Sequence, residues 1–228
     1  MIIGSGMLAK LFSTYENNDN IIIFASGVSN SQETQAAAFK REHYLLVNTL
    51  QENPEKTLVY FSTGSVYDSS AKDSLYVIHK KHMEQLIQKH AKKYYIFRLS
   101  HVVGKTSSPT IINFLKQKIN SGETFELWAN STRNLIAGED VFKLVDYILN
   151  HDLFKNEIIN IASHENLSIQ KIVYIIEGVL GKSAHFTLTQ KGAAYPIDIS
   201  LIEKILPKAG VSFKKDYVSI ILKNALMN

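Results

Sequence analysis

MIIGSGMLAKLF, residues 1–12, sets three signals end to end: a short apolar run, a glycine-rich turn and the opening of an amphipathic helix. Gly4, Gly6 and Ala9 form a G-x-G-x-x-A run at the join. In that context Gly4 allows a tight turn and Gly6 lets the backbone approach a pyrophosphate. Ala9 keeps the helix close to the strand, and the backbone at Met7 and Leu8 brings the helix N-terminus to the negative charge. The pattern reads as a dinucleotide-binding turn. A complete site of that kind presents an acidic residue about 20 positions later, at the end of the second strand, to hold a ribose. Here Ile21–Phe24 runs into Ala25-Ser26-Gly27, and Glu16 and Asp19 precede the strand. The adenosine side of the site is therefore incomplete.

Outward from this turn, strand and helix alternate. Ile21–Ala25, Thr57–Phe61 and Tyr94–Leu99 are continuous apolar runs, the mark of strands covered on both faces. Between them Thr34–Leu50 and Tyr76–His90 read as helices. Further on come a helix over Ile111–Ile119, a strand over Phe125–Trp128, a helix over Asp140–Leu149 and a strand over Glu157–Ala162. A helix over Ile169–Leu180 closes at Gly181, and the end holds a short strand near His185–Leu188 and a helix near Ile199–Leu206. Such alternation argues for an α/β fold with a mostly parallel sheet and helices on both faces. Met1–Ile3, Ile21–Ala25, Thr57–Phe61 and Tyr94–Leu99 are expected as neighbours, in that order or with one swap.

Composition narrows the function classes. The chain has 228 residues and no cysteine, which excludes disulfide frameworks, zinc-thiolate sites, iron–sulfur clusters and thiol nucleophiles. Its formal charge of +4 comes mostly from scattered lysine pairs, not from the basic stripe of a nucleic-acid binder. No apolar run approaches the roughly 18–20 residues needed to span a bilayer. Residues 1–12 lack a basic n-region and a small-residue cleavage site, so we expect a cytoplasmic protein without a leader, a resident metal, a nucleic-acid partner or a membrane.

Tyr76-Val77-Ile78-His79-Lys80 places a phenol and an ammonium one helical turn apart on one face. An ammonium nearby favours phenolate over phenol, which suits a tyrosine to acid–base work on a hydroxyl. Thr63, at the end of the preceding strand, is placed to share the same oxygen. The plainer account is an amphipathic helix whose tyrosine packs and whose lysine snorkels.

Taken together, three segments resemble the extended short-chain dehydrogenase/reductase superfamily, in its nucleotide-sugar branch of NAD-dependent epimerases and dehydratases. They are Gly4-Ser5-Gly6-Met7-Leu8-Ala9, the stretch from Tyr60 to Asp68, and Tyr76 through Lys80. Arg98 to Gly104, Arg133 to Ile136 with Asp140-Val141, and Asn160-Ile161-Ala162 look like later segments of the same family in the same order. The resemblance implies a Rossmann-like sheet and a small C-terminal substrate lobe. The core would span about residues 1–105 and 139–165, the lobe about 106–138 and 166–228. It makes Tyr76 the acid/base, Lys80 its partner on the nicotinamide ribose, and Thr63 the hydroxyl beside them. NAD or NADP would lie along Gly4, Gly6, Met7, Leu8, Ala25, Ser26 and Gly27, with Tyr76, Lys80, Ser100 and His101 completing its site. A nucleotide-sugar would meet Ser65 and Arg133.

Two departures stand out. Ile21–Ser29 looks like the family's fourth strand and its following loop, so the second and third strands would be absent and the nucleotide-binding half shortened. Gly64-Ser65 stands where dehydratases carry an Asp-Glu pair, which argues against water elimination and leaves a 4-ketoreductase or an epimerase. A protein of another class, a binding or scaffold protein that has lost part of its cofactor site, remains the alternative. The helices over Thr34–Leu50 and from Tyr76 carry apolar residues on more than one face, among them Phe39, Leu45, Met83 and Leu86. They suit a two-fold helix-pair contact in a homodimer.

Overall fold

The structure is a computed structural model that describes residues 1–227. The chain runs β1 (Ile2–Ile3), α1 (Met7–Leu11), β2 (Ile21–Phe24), α2 (Ala36–Glu52), β3 (Thr57–Thr63), α3 (Leu75–His90), β4 (Tyr94–Leu99) and β5 (His101–Val103). Then come α4 (Ile111–Ser121), β6 (Phe125–Trp128), β7 (Thr132–Ala137), α5 (Gly138–Asn150) and β8 (Ile158–Ile161). The C-terminal part adds β9 (Asn166–Ser168), α6 (Ile169–Leu180), β10 (Phe186–Thr189), α7 (Ser200–Glu203) and α8 (Tyr217–Met227).

Five strands form an all-parallel sheet in the order β1-β2-β3-β4-β8. The first four strands stand in the order expected from their apolar runs, and the sheet ends at β1. Among the described residues no strand lies beyond that edge, where a full dinucleotide-binding half would continue. Side chains alternate between two faces, as the pleat requires. Ile23, Val59, Tyr95 and Phe97 point to a core closed by Phe12, Val141, Leu144, Val145 and Ile148, which brings α1 and α5 onto that face. Ile22, Phe24, Leu58, Tyr60 and Ile96 face Leu46, Met83 and Ile87 of α2 and α3. Coverage on both sides is why β2 is apolar without alternation.

Several boundaries differ from the sequence expectation. The register opened by Met7 and Leu8 yields a helix of only five residues, followed by a 3₁₀ turn at Ser13–Tyr15. Phe12 is the cause. It is fully buried, with its ring 5.2 Å from both Phe61 and Phe142, and the chain turns to keep it there. The helix expected over Ile199–Leu206 shrinks to α7. α8 and the short strands β5, β7 and β9, which form a second sheet, have no counterpart in that expectation. A separate apolar cluster joins α4, α6 and α8 to β6, β7 and the start of β10.

Candidate active site

The C-terminal ends of the parallel strands carry the polar chemistry. Ser74 caps α3, its hydroxyl accepting the Val77 N–H at 3.2 Å, so the helix begins just ahead of Tyr76. Tyr76, Lys80 and Glu84 then follow at one-turn intervals and are all buried. The Lys80 ammonium donates to the Phe61 carbonyl at 3.4 Å and to the Tyr60 hydroxyl at 3.1 Å, which lays it against the end of β3. Thr63 closes that strand, and its hydroxyl accepts the Ser65 N–H at 3.1 Å.

The strongest partner of Lys80 is one that sequence reasoning missed. Glu42 of α2 is fully buried, and its Oε1 lies 3.1 Å from Lys80 Nζ. The same carboxylate accepts from the Tyr60 hydroxyl at 2.6 Å and from the Val28 N–H at 2.6 Å, while His79 Nε2 stands 3.0 Å from Oε2. Burial alone would push Glu42 up. The Lys80 charge and the hydrogen bonds from His79, Tyr60 and Val28 outweigh that and hold it down, to about 2. Burial, followed by the adjacent Glu42 charge, drives Tyr60 well above the usual tyrosine range, so it stays a phenol. The Lys80 ammonium, expected beside Tyr76, is thus paired with a buried carboxylate. One signal in the sequence pointed to Glu42, an acid in line with Phe39 and Leu46 on the inward stripe of α2.

The turn after β1 is shaped as its glycines suggested. Gly4 has φ +127°, and a Cβ there would stand 2.4 Å from the Ala25 carbonyl oxygen. A Cβ on Gly6 would meet nothing within 4 Å, so that glycine borders open space. Met7 packs its sulfur over Gly104, and Leu8 joins the core beneath the sheet. The neighbouring loop is held from within: Arg41 donates to the Ser26 carbonyl at 2.7 Å and to its hydroxyl at 3.0 Å. Gly27 makes room for the ion pair, since a Cβ there would sit 2.6 Å from Lys80 Nζ.

A second group of expected residues gathers around Arg133. Its guanidinium bonds only the neighbouring Thr132 carbonyl among the described hydrogen bonds, at 2.7 Å. Burial first, then the Arg133 charge, pull His101 down to about 3, leaving a neutral imidazole. Ser65 hydrogen-bonds Tyr195, which burial raises against the pull of Arg133. Tyr195 was not anticipated, because it arrives from an irregular segment far along the chain. Ser100 is buried with its hydroxyl unpartnered. Thr63 and Ser65 join the two groups through their shared hydrogen bond.

Comparison with known proteins gives this geometry a setting. No curated protein sequence matches the chain. Among solved structures, RMD from Pseudomonas aeruginosa complexed with NADPH aligns with a TM-score of 0.72 at 14% identity, covering 99% of this chain and 97% of that one. UDP-glucuronic acid 4-epimerase from Bacillus cereus, in complex with UDP-glucuronic acid and NAD, gives 0.71 at 17% identity, with coverage of 95% and 77%. UDP-N-acetylglucosamine 4-epimerase from Methanobrevibacter ruminantium gives 0.68 at 17%, with coverage of 95% and 78%. These likenesses establish the fold. The sequence model of the NAD dependent epimerase/dehydratase family matches residues 3–162, from the end of β1 through the glycine turn and the Tyr76–Lys80 helix to the end of β8, and to that family the chain belongs.

Proposed function

We propose that the chain is an NAD(P)-dependent oxidoreductase acting on a nucleotide-linked sugar, as a 4-ketoreductase or an epimerase. One observation carries this reading: Tyr76 sits one turn before Lys80, buried beside the end of β3, where the strand closes on Thr63. Ligands of open α/β sheets bind outside the carboxyl ends of the strands, which is where these groups stand. The family supports a nicotinamide cofactor, and the related structures include complexes with NAD and with NADPH.

The residues present fit a dinucleotide. Gly4 passes beneath the Ala25 carbonyl, and the space beside Gly6 admits a pyrophosphate that a side chain would exclude. Met7, Leu8 and Ala25–Gly27 belong to the same turn and the loop facing it, and Ser100 follows β4 on the same end of the sheet, its buried hydroxyl unpartnered. When bound, the nicotinamide supplies hydride exchange with the substrate carbon. Tyr76 gives or takes the proton at the substrate oxygen, and Thr63 hydrogen-bonds that oxygen. Arg133 meets a substrate phosphate, Ser65 orients the sugar, and neutral His101 adds no competing charge. Two copies pair through the outer faces of α2 and α3.

Titration calorimetry with NADH and NADPH, followed by turnover of a 4-keto nucleotide-sugar, tests this reading. Binding of at least one dinucleotide is expected. Gly6→Val should weaken it by about tenfold or more with an unchanged melting temperature, since only ligand space is lost. A wild-type protein that binds neither dinucleotide would shift the assignment to a scaffold.

A further inference from the structure

We propose that Arg41 is a specificity residue of the cofactor site: its guanidinium takes the ribose phosphate that distinguishes NADP(H) from NAD(H). The proposal deepens the function proposed above and rests on it for the presence of a dinucleotide.

The chain has three arginines, at 41, 98 and 133. Arg98 is held by the Glu84 carboxylate, and Arg133 belongs to β7 in the second sheet. Arg41 stands on α2 and leans on the loop after β2, donating to the Ser26 carbonyl at 2.7 Å and to its hydroxyl at 3.0 Å. That loop touches the glycine turn. A Cβ on Gly4 would lie 2.4 Å from the Ala25 carbonyl oxygen and 3.0 Å from the Ser26 nitrogen. Arg41 is exposed, and among the described residues its hydrogen-bond partners are the two oxygens of Ser26 alone. A guanidinium carries five N–H donors, so a fork remains for a ligand.

The acids near Arg41 in sequence are engaged elsewhere. Glu33, the one acid of the loop, accepts the Thr34 and Gln35 N–H groups at 2.9 Å. Glu42 is buried against Lys80 and Tyr60. Glu16 and Asp19 precede β2, at the opposite end of that strand. In a complete dinucleotide site an acid after the second strand holds the free ribose hydroxyls, whereas an arginine accommodates a phosphate there. Here the acid is missing, and a guanidinium stands at the C-terminal end of β2 with no carboxylate on it. Guanidinium and phosphate match through two parallel hydrogen bonds, which a plain ribose hydroxyl does not reproduce.

Titration calorimetry with NADPH and NADH, at low and high salt, compares the wild type with Arg41→Gln and Arg41→Lys. The wild type should bind NADPH about tenfold or more tightly than NADH, and that ratio should shrink as salt screens the contact. Arg41→Gln should bring the two affinities within about twofold of each other, chiefly by weakening NADPH. Arg41→Lys keeps the charge but loses the fork, so its ratio should fall between the two. If Arg41→Gln does not fold, the wild-type ratio and Arg41→Lys decide the matter. Equal wild-type affinity for the two dinucleotides overturns the proposal and leaves the proposed function standing. An equal fractional loss of both in Arg41→Gln also overturns it, by placing Arg41 on the pyrophosphate they share or on the loop alone. A wild type that binds neither dinucleotide removes the proposed function and this proposal with it.

Discussion

The Tyr76 ring packs with Val28 and Val77, with Phe39 and Val66 at the rim of the same small cluster. Tyr76→Phe keeps that ring in place and removes only the transferable proton. Turnover of the sugar substrate should fall by roughly 10²–10⁴ while the thermal melt stays within a few degrees of wild type. Wild-type turnover in this variant would dismiss Tyr76 as the acid/base. Tyr76 and Lys80 were legible in the sequence because both lie on one helix, where spacing fixes a shared face. Lys80's partner was not, because Glu42 stands 38 residues earlier and meets it only through packing of α2 on α3. Thr63 shows the same limit. Its place at the end of β3 was readable, its engagement with Ser65 was not.

The buried acids link the elements. Glu84 of α3 forms a two-pronged pair with Arg98 of β4, at 2.9 and 2.6 Å, and accepts from the Ser62 hydroxyl at 2.5 Å. Glu42 ties α2 and β3 to α3 in the same manner, with a pKa held near 2 against an ordinary 4.5. A carboxylate depressed on folding contributes stability that is complete above its unfolded value and lost as pH falls through the folded one. Wild-type stability should therefore decline between about pH 4.5 and 2 through this group, by on the order of 3 kcal/mol. Urea unfolding across that range should show a shallower decline in Glu42→Gln, and equal slopes would dissociate Glu42 from acid sensitivity. Long strands and helices were legible from apolar runs and period. α1 was not, because burial of Phe12 overrides local helical register. β5 and β9, with three residues each, are too short for periodicity to register, and β7 opens on the polar Thr132-Arg133-Asn134.

At the scale of the molecule, the outer face of α2 and α3 exposes Tyr44, Leu75 and Ile78. Of the apolar residues expected on more than one face of these helices, Met83 is buried in the core, while Phe39, Leu45 and Leu86 are partly buried against the apolar clusters. A groove lined by Phe39, Lys40, His43, Tyr44, His79 and His82 opens on the same side. Light scattering at micromolar concentration should report a dimer, and Ile78→Asp should give a monomer with little change in melting temperature. A monomeric wild type would refute this pairing. The parallel order of the sheet was foreseeable because its connections are short and each is filled by one helix. Only β8 breaks that rule, since residues 100–157 leave the sheet before Ile158–Ile161 return to pair with β4. Closing so long a loop costs entropy before any contact rewards it, so β8 should dock after β2, β3 and β4 have joined. Weakening β8 at Ile159 should then speed unfolding and leave the refolding rate nearly unchanged, whereas weakening β3 at Val59 should slow refolding itself. The late excursion thus makes the β4–β8 seam the place where this protein comes apart first.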